Sequence, residues 1–373
     1  MPKKMTRLRH AKRNYGIDLL RCFAMVMVVM LHTLSKSGLL AKAEIHTLKY
    51  EIVWFLEICC YCAVDCFVII SGYVGLHSKF RISRILQLWL QVAFYSVFLT
   101  VLVQGIQGQL NTVEILRSFL PVSTNAYWFF TQYFVLCFLT PFINKLVLTI
   151  SLKQNALLVG VLLLFFSVMP FIYAIPVDLL GEFKEDLFFV NRGYSVLWMA
   201  VMYTLGAFIN RLANEDRLGR VKKYVFLMMF VLSDLLIWVV HYICVNGQNP
   251  VSQSFIVAYT SPFVVLSATG MVMFFSRLEL GKGAQRAIAF FSPGAFAVYI
   301  IHHHPQVYPI FKECVSPLLE MRVIKLVPCI LFTVLFVFVV CSVSDTLRRY
   351  TEKLLKIDKL CRKADKLVNR IAY

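Results

Sequence analysis

Asp18-Leu-Leu-Arg21-Cys-Phe-Ala-Met-Val-Met-Val-Val-Met-Leu-His32 opens the first long apolar run of the chain, yet it carries an acid, a base and an imidazole. The run is long enough for a membrane-spanning helix. At the centre of such a helix an Arg or Asp costs roughly 2.5–3.5 kcal/mol, so polar groups there are functional signals by default. From Arg21 to His32 is eleven residues, close to three whole turns at about 100° per residue, which puts both on nearly one face. Asp18 lies one turn before Arg21, within about 60° of the same stripe. The axial gap from Arg21 to His32 is roughly 16 Å, about half the hydrocarbon thickness. One polar stripe is therefore expected to run from a membrane surface deep into the bilayer. Taken singly each residue has a plainer explanation. Arg21 can snorkel to the headgroups, Asp18 can serve the helix dipole and His32 can sit at an interface. The three on one face favour a site.

The chain has 373 residues, 59% of them hydrophobic, which excludes an ordinary soluble domain and predicts an all-α polytopic membrane protein. Ten transmembrane helices are expected, at about 16–36, 51–76, 85–105, 126–148, 155–175, 192–211, 223–245, 253–276, 287–311 and 323–345. Residues 1–15 read as a basic cytoplasmic arm, 16–345 as the membrane domain and 346–373 as a basic amphipathic tail on the membrane surface. The loop 106–125 has room for a short interfacial helix, and the loop 176–191 is acidic. The N-terminus resembles a signal peptide, but Asp18 and Arg21 interrupt its apolar core, so a retained span is expected.

The net charge of +18 does not mark a nucleic-acid binder. With loops assigned alternately to the two faces, 28 of the 38 Lys and Arg fall on the side of the termini. That bias predicts both termini in the cytoplasm, against anionic lipids. The eleven cysteines lie mostly inside apolar segments and form no disulfide framework. Cys59, Cys60, Cys62 and Cys66 read as small hydrophobes on one helix. No metal site is expected, because the side chains of His302, His303 and His304 splay about 100° apart on a helix.

Several stretches together resemble the integral-membrane acyltransferase family 3. Asp18, Arg21 and His32 match its Leu-Asp-x-x-Arg and Arg-x10-His spacing. Val64-Asp65-Cys66-Phe67-Val68-Ile69-Ile70-Ser71-Gly72-Tyr73 is similar to a motif at the end of its second helix, with Cys66 where Phe is expected. Arg81 and Arg84 fit an Arg-x-x-Arg pair, Trp128-Phe129 with Tyr133 and Pro141 fits a Trp-Phe motif, and Tyr299-Ile-Ile-His302 fits a weaker one. The resemblance covers nearly the whole chain. It implies transfer of an acyl group, most often acetyl from cytoplasmic acetyl-CoA, to a hydroxyl of an extracytoplasmic or lipid-linked carbohydrate at the plasma (inner) membrane.

The residues suit that chemistry. His32 is the expected general base or acyl carrier, with Arg21 and Asp18 beside it as catalytic residues. Arg81 and Arg84, one turn apart, present guanidinium forks to the donor's phosphates. On charge alone they read equally as a topology anchor. Ser71 and Gly72 are small enough for close approach of a donor or of another helix. His302, Trp128 and Asp65 are expected on the acceptor side. Asp65, mid-span, needs a partner such as Arg21 or a polar cavity. The competing class is a glycan or lipid transporter or flippase, which would favour paired, interrupted helices in repeated halves; none is evident in the sequence.

Overall fold

The computed structural model describes residues 13–180, 186–247 and 256–372, so most of the expected basic arm and residues 181–185 of the acidic loop 176–191 lie outside the described residues. Among the described residues the chain is helical, without strands. The first half contains α1 (Tyr15–Lys36), α2 (Leu39–Lys42), α3 (Leu48–Tyr61), α4 (Ala63–Gly75), α5 (Ile82–Gln107), α6 (Thr112–Ser118), α7 (Trp128–Thr149) and α8 (Leu152–Leu163). The second half contains α9 (Met169–Leu180), α10 (Val196–Asn214), α11 (Lys223–Asn246), α12 (Pro262–Phe275), α13 (Lys282–Phe291), α14 (Ala295–His302), α15 (Val307–Val315), α16 (Val323–Leu354) and α17 (Ile357–Ala372).

Nine helical segments among the described residues are long and apolar enough to cross a membrane, and the protein is a multi-pass membrane protein. The difference from ten arises at α12, which is a shorter apolar helix beginning only at Pro262. Residues 256–261 before it are buried but turn instead of continuing the helix. Two of the nine segments are interrupted. The segment Leu48–Gly75 changes from α3 to α4 at Cys62, and Lys282–His302 passes through a 3-10 turn at Ser292–Gly294. Leu152–Ile175 contains a π-helical turn at Leu164–Val168. The ninth expected span ends at His302, earlier than its sequence boundary, and the last runs on to Leu354 before the tail helix begins.

α1 is the hub. Of its most apolar window 72% is buried inside the protein, against 11% for α7 and 17% for the α8–α9 segment. It packs against α3, α4, α12, α13, α14 and α16. The peripheral helices turn residues such as Phe142, Leu157, Ile172, Ile243 and Phe332 outward, as a lipid-facing surface requires. Asn14 starts α1: its side-chain carbonyl accepts the Ile17 amide, and its amide nitrogen donates to Ser276 O at the end of α12.

α4 and α10 form the closest pair, and glycine permits it. A Cβ on Gly72 would collide with Tyr203 O, and one on Gly206 with Ile69 O. Small residues let two backbones approach where lipid offers no hydrophobic drive for association. At the tail, α17 packs on the start of α5. Asp365 accepts from the Ser83 amide at 2.8 Å and from its hydroxyl at 2.7 Å.

Candidate functional site

Two cavities lie on either side of a common aromatic wall. The larger, about 770 Å³, is basic: Arg21, Lys79, Arg81, Arg84 and Lys145 line it, with Ser71, Tyr133 and Asn144. The smaller, about 300 Å³, holds His32, Tyr299 and His303 together with Glu57, Lys36 and a set of aromatic rings. Phe67, Phe129 and Phe296 line both. They come from α4, α7 and α14, so three helices meet to make the partition.

The polar stripe of α1 serves the two chambers in turn. Asp18, buried at its first turn, pairs with Arg21 and also takes Arg13 Nε at 2.5 Å. An isolated carboxylate there would be costly, and two guanidinium partners offset part of that cost. Arg21 stays partly exposed in the basic cavity. Eleven residues later, on the same face, His32 enters the smaller cavity. Phe129 stacks on Tyr133 with ring centroids 5.6 Å apart and meets Phe67 edge-on at 6.2 Å. Below them Ser71 Oγ and Tyr133 Oη are 3.0 Å apart.

His32 is held by a second histidine. His32 Nδ1 lies 2.8 Å from His302 Nε2, and His302 Nδ1 lies 2.5 Å from Val298 O, one turn back on α14. A carbonyl only accepts, so His302 Nδ1 carries the proton, and the neutral ring offers Nε2 as an acceptor. His32 Nδ1–H then donates to it. The lone pair of His32 is thereby placed on Nε2, in a side chain that lines the cavity.

The other expected residues divide. His303 also lines the small cavity, its ring 4.6 Å from that of His32. His304 turns away, with Nε2 3.1 Å from Ser96 O. The three consecutive histidines therefore do not converge on one point. Trp128 lines the small cavity against Tyr194, at 4.5 Å between centroids. Asp65 lines neither cavity. Its partner is Trp198 Nε1 at 3.0 Å, in place of the expected Arg21. Gly72 also lies outside both linings: its missing side chain is used for packing on α10, whereas Ser71 and Gly75 line the basic cavity.

No sequence motif singles out Lys36, Glu57, Tyr61, Tyr194 or Tyr259, all of which line the small cavity. Tyr61 and Tyr259 stack at 4.8 Å, and Tyr259 lies near Tyr194 and Trp128. Glu57 is 8% exposed, and its Oε2 has no hydrogen-bond partner among the described residues. In a chain with 17 Tyr and 32 Phe, an aromatic residue near a helix end is no signal by itself.

The comparisons with curated proteins and with solved structures found no match. The comparison with protein families did: the model described as an acyltransferase domain matches residues 14–350, from the cap of α1 to near the end of α16, and the chain belongs to acyltransferase family 3.

Proposed function

We propose that this acyltransferase moves an acetyl group from cytoplasmic acetyl-CoA to a hydroxyl of a carbohydrate presented on the far side of the plasma membrane. The observation that carries this reading is the pair of cavities, one basic and one aromatic with an imidazole, sharing the partition of Phe67, Phe129 and Phe296. The nucleotide end of the donor carries several phosphates. Arg81, Arg84 and Arg21 supply charge-assisted hydrogen bonds for them, with Lys79 and Lys145 in the same lining. The pantetheine arm then passes the partition towards His32. The basic side faces the cytoplasm, as the positive-inside bias predicts, and the basic tail rests on anionic lipid.

In the smaller chamber the acceptor ring stacks on Trp128 and Tyr194, and Glu57 takes a neighbouring hydroxyl. His32 Nε2 removes the proton of the attacking hydroxyl as its oxygen bonds to the thioester carbonyl carbon. The positive charge formed on His32 is shared through Nδ1–H with His302 and the Val298 carbonyl. Collapse of the tetrahedral intermediate breaks the C–S bond. His32 returns the proton to the departing thiolate, giving the ester and free CoA.

The test uses membranes containing the full chain, labelled acetyl-CoA added on the basic side, and surface glycans analysed for base-labile acetyl esters. Label should enter the glycan with the native chain and not with His32→Ala at equal protein level. Retained acetylation in His32→Ala removes the imidazole from the reaction. Movement of glycan without label would favour a transporter.

A further inference from the structure

The tail helix α17 touches the membrane domain next to the two arginines that line the basic cavity. Arg81 is the N-cap residue of α5, and Arg84 lies in its first turn. Their side chains line the cavity, and Ser83 between them does not. At about 100° per residue Ser83 points away from the Arg84 side, and there it meets the tail. Asp365 receives both the amide of Ser83, at 2.8 Å, and its hydroxyl, at 2.7 Å. One turn further along α5, Gln87 Nε2 donates to Asp358 Oδ1 at 2.8 Å. Arg81 at the N-cap supplies no side-chain acceptor; the Arg84 amide bonds to Arg81 O, and the Ser83 amide is the first-turn donor of α5 that is served from another helix. Between the two acids, Cys361 is 5% exposed, although its neighbours Leu360 and Arg362 are exposed.

We propose that Asp365 is a positioning residue for the donor site: by capping α5 from the tail it holds the backbone that aims Arg81 and Arg84 into the basic cavity. This rests on the reading of that cavity as the acyl-CoA site. Ser83 and Asp365 stand outside the lining, so the carboxylate meets Arg81 through its charge from behind and does not occupy the cavity. With the cap removed, the first turn of α5 frays and the two guanidinium groups lose their common direction. The loss falls on donor binding, since His32 and its partners lie in the other cavity.

The experiment measures CoA binding, acetyl-CoA kinetics and maleimide labelling of Cys361 in the purified full chain, all in a Cys314→Ser background because Cys314 is exposed. Asp365→Ala should weaken CoA binding and raise KM for acetyl-CoA about fivefold, the effect of losing one helix cap, while kcat stays within about twofold. Ser83→Ala should act in the same direction, and the double variant should be no worse than Asp365→Ala. Asp365→Asn, which keeps one acceptor for the Ser83 amide, should recover part of the loss. Labelling of Cys361 should accelerate in Asp365→Ala. If Cys361 stays shielded, or if it is released while CoA binding is unchanged, the proposal is overturned. A native chain that binds no CoA overturns the donor-site reading itself, a result distinct from equal binding by the native chain and the variant.

Discussion

His302 Nε2 lies 2.8 Å from His32 Nδ1, although 270 positions separate the two residues. The contact joins the hub helix α1 to the end of α14, and its direction is set by a backbone carbonyl. Because Val298 O fixes the proton on His302 Nδ1, a neutral His302 accepts from His32 Nδ1–H, which leaves the lone pair of His32 on Nε2. Replacing His302 by Ala leaves His32 in place without its orienting partner. Acetyl transfer should fall by about 10- to 100-fold with little change in donor KM, less than the 100-fold or greater loss expected for His32→Ala. His302→Gln, whose side-chain oxygen can accept from Nδ1–H, should recover part of the rate. Steady-state kinetics with labelled acetyl-CoA checks all three. Equal rates for native and His302→Ala chains would leave the second histidine a packing residue.

The basic cavity predicts which part of the donor matters. Arg81→Ala and Arg84→Ala should each raise KM for acetyl-CoA by about tenfold, consistent with loss of one hydrogen bond to a charged group. Lysine at either position should not restore full affinity, because it lacks the planar fork. The same measurement with acetyl-3′-dephospho-CoA separates the contacts. If either arginine meets the 3′-phosphate, its variant will discriminate the two donors less than the native chain does.

Phe67, Phe129 and Phe296 separate the chambers, so their size should control passage between them. Phe67→Trp narrows the partition without removing apolar surface. Transfer should slow several-fold while CoA itself binds as before, because Arg81 and Arg84, the proposed phosphate ligands, line only the basic cavity. Phe296→Leu opens it and should raise the share of acetyl-CoA lost to hydrolysis in the absence of acceptor. The measurement is the ratio of free acetate to acetyl ester. A ratio unaffected by either change would mean that the thioester does not pass this wall.

Much of this site was legible in α1, because helical spacing alone places Arg21 and His32 on one face. The motif around Ser71 also led to the basic cavity, but Gly72 within it did not, since helix packing and ligand approach require the same small residue. Its contact with Tyr203 depends on α10, more than 100 residues away, and no local pattern encodes it. Asp65 shows the same limit: its cost in a membrane is plain from its position, while its partner Trp198 sits on α10, 133 positions away, where no local pattern marks it. The eighth expected span, 253–276, is where the described segments differ from the ten expected: residues 256–261 are as apolar as a helix and are buried as a turn instead. Apolar composition reports burial, and burial is common to both.

Gly72 and Gly206 make a reciprocal stability prediction. Each faces the other helix's backbone closely enough that a Cβ must displace a carbonyl, not merely a flexible side chain. Gly72→Ala or Gly206→Ala should destabilise the fold by about 1–3 kcal/mol through overpacking. Gly160→Ala, where a Cβ meets open space inside α8, should be neutral to stabilising, by up to about 1 kcal/mol. Thermal unfolding in detergent, followed by aggregation of the full chain, compares the three. An unchanged midpoint in Gly72→Ala would show that α4 and α10 tolerate separation.

Acid should release the tail. Slight burial works to raise the Asp365 carboxyl, but the Ser83 hydroxyl and amide, with Arg81 and Arg362 nearby, outweigh it and hold the group below its ordinary value. Asp358 is lowered as well, chiefly by its bond to Arg362 and then by Gln87. A carboxyl depressed in the folded state contributes fully above its unfolded value of about 3.9, and the contribution disappears as pH falls through the folded value. Docking of α17 should therefore be independent of pH from neutrality down to about pH 4 and weaken below it. Amide exchange at Ser83, corrected for its intrinsic pH dependence, reports the change. In Asp365→Asn the protection should already be reduced at neutral pH, with a smaller further loss in acid left to Asp358. Loss of protection in the native chain near pH 6 would assign the contact to a group other than these carboxylates.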